Sequence, residues 1–368
     1  MFSAQVTFKQ TNTLFKEYNN FEYKFPEPQY LGAKYTHLSW IQKYIPQKID
    51  VVLDAFSGSQ SVTFLFKQLG FKTIANDFLM FNDEIGKALI ENKSEFLTNE
   101  DIGILFRENK DKQKWTLMED TFCGIFFEKE DAVFLDNFRA NISLLKNRYK
   151  QSLAFAIINR SMTRKVTMGH FAHTQALNYA KNPERIKRNR SLIRPIKEIF
   201  MELLPKYNMA VFDNGKENKS FNKNILDLLP ELKGEKIDLA YFDPPYCDSH
   251  ADYQGFYHLL ETFTQYWKNK RFINGTKRYE PQIYSGFVQK KEILNSFTDL
   301  FEKAKHIPYW LISYNDRSYP SMKDLLDLIS KYKDITIEMK PYANGRGGKG
   351  SVAGSKEILF ICEPKKKN

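Results

Sequence analysis

The segment IDVVLDAFSGSQSVTFLFKQLGFKTIAND, residues 49–77, decides the fold class. It begins with a short apolar strand, Ile49 to Asp54, and continues through a glycine turn into VTFLFKQLG, whose apolar residues recur at helical spacing. Gly70 is a natural end for this helix, and FKTIAND repeats the strand pattern. The segment therefore predicts a parallel βαβ unit whose turn lies at the carboxyl edge of a sheet, where ligands bind.

A second series of strands follows much later in the chain. The strand IDLAYF ends in DPPY at residues 243–246, and PYWLISYND, residues 308–316, precedes a predicted helix and two final strands, DITIEMKPY and KEILFIC. We predict an α/β protein with a Rossmann-like sheet that ends in an antiparallel hairpin. Residues 25–92 and 235–368 would form this domain, and residues 93–234 a mainly helical insertion.

The composition describes a folded chain with a basic surface. Of 368 residues, 42% are hydrophobic and 15% aromatic, which is too apolar for a disordered protein. The 55 Lys and Arg against 44 Asp and Glu give a net charge of +11, which favours an anionic partner. No apolar run approaches the roughly 18 residues of a membrane span, and the three cysteines show no metal or disulfide spacing. A cytoplasmic protein that does not contact membranes is expected.

The glycine turn DAFSGSQS, residues 54–61, is the first candidate binding element. A glycine lets a ligand approach the backbone, and the following helix leaves free amide groups. Asp77 ends the next strand, where an acid accepts hydrogen bonds from ribose hydroxyls. The turn has neither G-x-G-x-x-G nor G-K-S/T, so it favours a nucleoside without a pyrophosphate. An ordinary glycine turn with a chance Asp is the alternative.

The second candidate is Asp243-Pro244-Pro245-Tyr246. Two prolines remove two amide donors and stiffen the backbone, so the Asp243 carboxylate and the Pro244 carbonyl become fixed acceptors beside an aromatic ring. Such an arrangement suits a planar amine, for example the exocyclic amino group of a base stacked on Tyr246. A proline turn that merely ends a strand is the alternative.

These motifs together resemble the DNA adenine methyltransferases of the D-P-P-Y class. YLGAKYTHLSWIQKYIP, residues 30–46, is similar to their N-terminal Y/W-x-G-G-K element, with Ala33 for the second glycine, and DAFSGSQSV is similar to D/E-P-F-x-G-x-G-S, with Ala55 for proline and Gln60 for glycine. The resemblance implies S-adenosyl-L-methionine as cofactor. The cofactor-binding residues it implies are Tyr30, Gly32, Lys34, Asp54, Phe56, Gly58, Ser59, Asp77, Asn224 and Asp243.

The same resemblance implies transfer of a methyl group to N6 of adenine in a short duplex DNA sequence, with catalytic residues Asp243, Pro244, Pro245 and Tyr246. The adenine must leave the helix, and Tyr253, Phe256 or Tyr257 would cover its second face. Cytosine N4 in DNA and adenine in RNA are alternative substrates. A binding module without turnover and a Rossmann dehydrogenase are less consistent with the intact D-P-P-Y and the missing glycine fingerprint.

The insertion contains a basic segment, residues 160–194, which has nine Lys or Arg against one acid, Glu184. This charge favours DNA contact, although a solvated helix face is the alternative for any single residue. Asn315 and Arg317 are weaker pocket candidates, and His170 with His173 has no partners that would indicate a metal. The predicted DNA-binding residues are Arg160, Arg164, Lys165, Arg185, Lys187, Arg188, Arg190, Arg346 and Lys349.

The biological setting implied by the resemblance is a prokaryotic restriction-modification system. A cognate restriction endonuclease encoded nearby would then be a partner, besides double-stranded DNA. An orphan regulatory methylase is equally compatible with the motifs.

Overall fold

The computed structural model describes residues 21–109, 114–167, 169–246, 252–273, 277–280, 285–341 and 355–366. These residues form a mixed α/β fold around a seven-stranded sheet, so the predicted α/β class is confirmed. The strands are β1 Val51–Asp54, β2 Lys72–Asp77, β3 Lys219–Asn222, β4 Leu239–Phe242, β5 Tyr309–Asn315, β6 Lys333–Pro341 and β7 Lys356–Pro364.

Helices cover the sheet and form a body beside it. The α-helices are α1 Leu38–Gln42, α2 Ser61–Gln68, α3 Met80–Gly86, α4 Asn99–Phe106, α5 Leu117–Phe122, α6 Lys129–Ile142, α7 Arg148–Lys165, α8 Ala176–Ala180, α9 Pro183–Arg188, α10 Ile196–Asn208, α11 Ile225–Glu231, α12 Tyr253–Phe256, α13 His258–Gln265, α14 Ile293–Ala304 and α15 Met322–Ile329. Short 3₁₀ helices span Lys34–His37, Arg190–Leu192, Leu232–Gly234 and Gly286–Val288, and a π-helical turn spans Lys87–Glu91.

The strand order is β3-β2-β1-β4-β5-β7-β6. The five strands from β3 to β5 are parallel, whereas β7 runs antiparallel to both β5 and β6. Successive connections run outward from β1 on one side and outward from β4 on the other. The boundary between β1 and β4 is therefore a topological switch point, and the crevice at their carboxyl ends is where open α/β sheets bind ligands.

Alternation along the strands places apolar side chains on both faces of the sheet. Val52 and Tyr241 face a layer formed by α1 and α2, whereas Leu53 and Phe242 face α11, α14 and α15. Both faces are therefore covered, as expected for a parallel sheet with near-continuous apolar strands.

The segment between β2 and β3 is largely helical, and its centre is α7. This helix packs against α3, α6 and α10 in a third apolar core that also includes Phe64 of α2. Strand β3 and helix α11 lie within residues 93–234, yet β3 pairs with β2 in the main sheet. Residues 219–231 thus pack as part of the sheet layer, which the division at residues 93 and 234 did not anticipate.

Candidate active site

Asp54, the last residue of β1, is buried at the carboxyl edge of the sheet. Its Oδ2 accepts a hydrogen bond from Thr63 Oγ1 at 2.6 Å, whereas its Oδ1 makes no hydrogen bond within the described part of the chain. Burial without a cation raises the pKa of Asp54 to about 7. This carboxylate is therefore a buried acceptor that a ligand donor or cation would satisfy.

The turn after Asp54 is held to the end of β2. The Ser57 amide donates to Asn76 O at 2.9 Å, and the Gly58 amide donates to Asp77 Oδ2 at 2.9 Å. Gly58 has φ of +45°, and a Cβ there would lie 3.2 Å from the Tyr30 ring. Gln60, which stands where the family pattern has glycine, keeps a left-handed backbone with φ of +68°. Its side-chain amide donates a hydrogen bond to Ser57 Oγ at 2.7 Å, which stabilises the turn.

Asp77 is fixed by donors on both carboxylate oxygens. Its Oδ1 accepts from the Leu79 amide at 2.8 Å and from Asn82 Nδ2 at 3.2 Å, while Oδ2 accepts from Gly58. Burial raises its pKa to about 6, although these hydrogen bonds oppose the shift. The side chain therefore keeps one orientation beside the glycine turn.

Tyrosine rings stack against the N-terminal motif. Tyr30 stacks on Tyr257 with centroids 4.7 Å apart and on Tyr253 at 5.6 Å. Tyr257 is buried, and its hydroxyl accepts from the Leu31 amide at 2.6 Å, so it supports Tyr30 from the core. Phe256 lies 5.0 Å from the His170 ring. Of the three aromatic residues predicted to cover the base, only Tyr253 lines the cavity described below.

The Asp-Pro-Pro-Tyr segment follows β4, next to β1, and carries a compact ionic network. Lys34 Nζ donates to both Asp243 oxygens at 2.8 Å. Tyr246 Oη lies 3.1 Å from Asp243 Oδ1 and 2.8 Å from Glu357 Oε1. Burial raises the pKa of Asp243, and Lys34 opposes that shift. The network fixes the Tyr246 ring and gives Asp243 a cation that Asp54 lacks.

These elements surround one cavity of about 840 Å³, counted with the space at its open mouth. The cavity is lined by every residue that we predicted from the sequence to bind the cofactor or to act in catalysis: Tyr30, Gly32, Lys34, Asp54, Phe56, Gly58, Ser59, Asp77, Asn224, Asp243, Pro244, Pro245 and Tyr246. The N-terminal motif, the glycine turn and the D-P-P-Y segment, which are far apart in sequence, therefore face the same space.

Comparison with known proteins agrees with this arrangement. The model of the D12 class N6 adenine-specific DNA methyltransferase family matches residues 30–319. The chain belongs to this family. It is accordingly an N6 adenine-specific DNA methyltransferase, and the cavity with its D-P-P-Y segment is the candidate active site of this enzyme.

Several curated methyltransferases are similar over nearly the whole chain. Type II methyltransferase M2.HphI of Haemophilus parahaemolyticus is 32% identical over 92% of this chain and 98% of its own length. Modification methylase LlaI of Lactococcus lactis subsp. lactis is 25% identical over 90% of this chain but only 53% of its own length. Type II methyltransferase M.CviAII of Paramecium bursaria Chlorella virus 1 is 23% identical over 90% of this chain and 97% of its own length.

Two site features of the methyltransferase were missed by sequence reasoning. Ser285 and Phe287 line the cavity from a loop without a motif. Glu357, in β7, is fully buried against Tyr246 and Lys34. Its signal in the sequence was weak: a single acid at an inward position of the apolar strand KEILFIC.

Two weaker sequence candidates lie outside the lining. Asn315 Oδ1 accepts from the Arg317 amide at 3.0 Å in the turn after β5, and neither residue lines the cavity. Asn224 does line it, and its side chain also accepts from the Leu226 amide at 3.0 Å to cap α11.

The predicted DNA-binding residues of the methyltransferase separate into two groups. Arg160 donates to Gln29 Oε1 at 2.7 Å, and Arg164 pairs with Glu202 at 2.7 Å. Lys165 is buried and pairs with Asp131 at 2.8 Å. The structure thus differs from the prediction for Lys165, because a buried, paired ammonium in this position does not reach a phosphate.

The second group is exposed on and just after α9: Arg185, Lys187, Arg188 and Arg190. Arg185 lies over the Tyr179 ring at 4.7 Å. Within the described ranges, Lys187, Arg188 and Arg190 make no ion pair. Arg346 and Lys349, in the loop of residues 344–351, lie outside the described residues.

The described ranges of the methyltransferase contain no helix that is long and apolar enough to cross a membrane. The same ranges contain no group of three or more His, Cys, Asp or Glu side chains arranged to hold a metal ion.

Proposed function

We propose that this methyltransferase binds S-adenosyl-L-methionine in the cavity between the glycine turn and the D-P-P-Y segment. The observation that carries the proposal is the convergence of the three motifs on one space at the switch point of the sheet. The donor set fits this molecule: Asp54 offers an unsatisfied buried oxygen to an amine or hydroxyl donor, and Asp77 offers an oriented acceptor for ribose hydroxyls.

The adenine amino group would be held by Asp243 and the Pro244 carbonyl. S-adenosyl-L-methionine, when bound, supplies a methyl group on a positively charged sulfur. The amine of adenine is a weak nucleophile because its lone pair is delocalised into the ring. Two acceptors that hold its hydrogens would keep the nitrogen closer to tetrahedral geometry and direct its lone pair outward, without a covalent intermediate.

The Tyr246 ring would stack on the extruded base. Its hydroxyl is tied between Asp243 and Glu357, so its orientation is fixed before the base arrives. Tyr253, on the cavity wall beside Gly32, is the best-placed of the predicted aromatic residues to contact the other face.

Target recognition is proposed for the helical body between α4 and α10, within the insertion predicted at residues 93–234. Its exposed basic residues on α9 would contact the phosphate backbone, and Arg346 and Lys349 remain predicted contacts. The whole would act in the cytoplasm of a prokaryote.

A restriction-modification system is the proposed setting, because M2.HphI is named a type II methyltransferase and LlaI a modification methylase. A cognate endonuclease encoded nearby would be the partner. DNA methylated by this enzyme would then resist cleavage by that endonuclease, and cleavage of fully methylated DNA would contradict this setting.

Methyl transfer from labelled S-adenosyl-L-methionine to unmodified genomic DNA tests the proposal. Wild-type protein should form N6-methyladenine, identified by digestion to nucleosides, and Asp243→Ala should not. Full transfer by Asp243→Ala would contradict the assigned site. Sequencing of the modified DNA would give the target sequence.

A further inference from the structure

Glu357 is a buried carboxylate beside the proposed catalytic segment. Its side chain is 0% exposed, and its Oε1 lies 2.8 Å from the Tyr246 hydroxyl and 3.4 Å from Lys34 Nζ. Its Oε2 is buried and makes no hydrogen bond among the described residues. Burial of a carboxylate with an unused oxygen costs free energy, so a purely structural role explains this residue poorly.

Glu357 and Asp243 compete for the same two donors. Lys34 Nζ is 2.8 Å from Asp243 and 3.4 Å from Glu357, and the Tyr246 hydroxyl lies between the two carboxylates. A phenol has one hydrogen, so Tyr246 can donate to only one of them at a time. With Lys34 on both oxygens of Asp243 and Tyr246 on Oδ1, about three of the four lone-pair positions of this carboxylate are used, so the target amine must compete with these donors.

We propose that Glu357 is a positioning residue for adenine methylation, which takes Lys34 and Tyr246 from Asp243 when the target amino group binds. This inference rests on the proposed function of Asp243 as acceptor of that amino group. Because Lys34 already lies close to both carboxylates, the exchange needs only a small side-chain movement. The buried ammonium keeps a charged partner throughout, which avoids the large cost of an unpaired buried charge.

The exchange depends on the charge of Glu357. Burial raises its pKa to about 7, and the charged or titratable groups that face it are Lys34, Asp243, Tyr246 and, in β4, Tyr241. Only ionised Glu357 attracts Lys34. The contribution is therefore present above about pH 7 and is lost as the pH falls below it. Below this range Lys34 stays with Asp243 and opposes binding of the base.

The test compares Glu357→Gln with Glu363→Gln, the same change at the far end of β7. The substrate is DNA that lacks N6-methyladenine, with labelled S-adenosyl-L-methionine, and kcat and KM for DNA are measured from about pH 6 to 8.5. We expect Glu357→Gln to raise KM for DNA roughly tenfold at the upper end, in line with loss of a charge-assisted interaction. At about pH 6 the KM of Glu357→Gln for DNA should equal that of the wild type. The KM of Glu363→Gln should equal that of the wild type over the whole pH range.

The pH profile separates positioning from mere stability. Between the two ends of the pH range, kcat/KM of the wild type should increase more than kcat/KM of Glu357→Gln. This comparison cancels the titration of Asp54, which both proteins share. Glu357→Asp keeps the charge. It should therefore restore part of the increase in kcat/KM with pH, and the pH at the midpoint of that increase should shift. If thermal melting shows that Glu357→Gln does not fold, Glu357→Asp becomes the test variant. The proposal would be overturned if this variant had the wild-type KM for DNA and the wild-type midpoint in the pH profile of kcat/KM.

Two failures remain distinguishable. If Glu357→Gln shows the wild-type KM and pH profile while Asp243→Ala is inactive, only the role of Glu357 is wrong. If Asp243→Ala still methylates DNA, the proposed active site itself is wrong.

Discussion

Asp54 and Asp243 stand at the ends of neighbouring parallel strands, yet their electrostatic surroundings differ. Asp54 has one neutral donor, Thr63, and one unsatisfied oxygen, and burial raises its pKa to about 7. Asp243 has the Lys34 ammonium on both oxygens and the Tyr246 hydroxyl on one. The same residue type at the same edge thus has two different environments: Asp54 has a buried oxygen without a donor among the described residues, whereas Asp243 is oriented by a cation that opposes the rise of its pKa.

The largest expected effect is on methyl transfer by Asp243→Asn. The substitution keeps the shape but replaces a charged acceptor by an amide, so the rate at saturating substrates should fall on the order of 10²- to 10³-fold. Single-turnover methylation of DNA measures the rate, and equilibrium binding of S-adenosyl-L-methionine provides the reference. A rate within a few-fold of wild type would mean that the two carboxylates do not differ in catalytic role.

The second prediction concerns the effect of Asp54→Asn on the free energy of unfolding. The folded-state pKa of Asp54 lies above its unfolded value, so the folded protein binds the extra proton, and the stability of the wild type falls as pH rises from about 4 to 7. Asn carries no charge, and Asp54→Asn should therefore be more stable than wild type by on the order of 4 kcal/mol near pH 8.

Thermal or urea unfolding at about pH 4 and pH 8 measures this gain, which should vanish at the lower pH. The exposed Asp299→Asn, in the middle of α14, is the matched control and should change stability little at either pH. For Asp243→Asn a smaller gain is expected, because burial also raises the pKa of Asp243, but its pairing with Lys34 opposes that shift and is lost in the variant. Equal gains for Asp54→Asn and Asp243→Asn would contradict the distinction drawn between them.

A third prediction extends the comparison to charges outside the cavity and has the smallest effect. Lys187→Ala and Arg188→Ala remove exposed cations on α9 and should weaken DNA binding by a few-fold each. Each should reduce the slope of log affinity against log salt by about one. Fluorescence anisotropy with duplex DNA at several salt concentrations measures both quantities.

Lys331→Ala is the control for this experiment. Lys331 is exposed and precedes β6 at the edge of the sheet opposite the cavity. An unchanged salt slope for both α9 variants would show that this surface faces away from DNA.

Much of the fold and of the cavity followed from the sequence, because both depend on local signals. The apolar strands β1 and β4 and the turns after them are continuous in sequence, and topology brings their carboxyl ends together. Strand β3 was missed because KSFN has neither an apolar run nor a clear alternation and is extended by pairing with β2. The run QGFYHLLETFTQYW after D-P-P-Y has a continuous helical pattern in sequence, yet it contributes to two helices, α12 and α13, which are separated at Tyr257.

The roles of two charged residues, Lys165 and Glu357, could not be predicted from the sequence because they depend on tertiary contacts. Lys165 belongs to a basic segment by sequence, but its partner Asp131 lies in α6, and only the packing of α6 against α7 places them together. Glu357 has no motif around it, and its significance comes from Lys34 and Tyr246, which are distant in sequence. Charge counts along a chain do not reveal such pairs.

The order of strands in the sheet has a consequence for how the chain acquires its structure. β1 and β2 pair with each other, but Val52 also pairs beside Leu239 and Ile74 beside Lys219, so the contacts of β1 with β4 and of β2 with β3 require strands made much later in synthesis. The contacts between α5 and α6 and between α7 and α10 join segments much closer in sequence. We therefore expect the helical body to gain protection from hydrogen exchange before the sheet does. The catalytic crevice, which needs β1 and β4 side by side, would be among the last parts of the molecule to form.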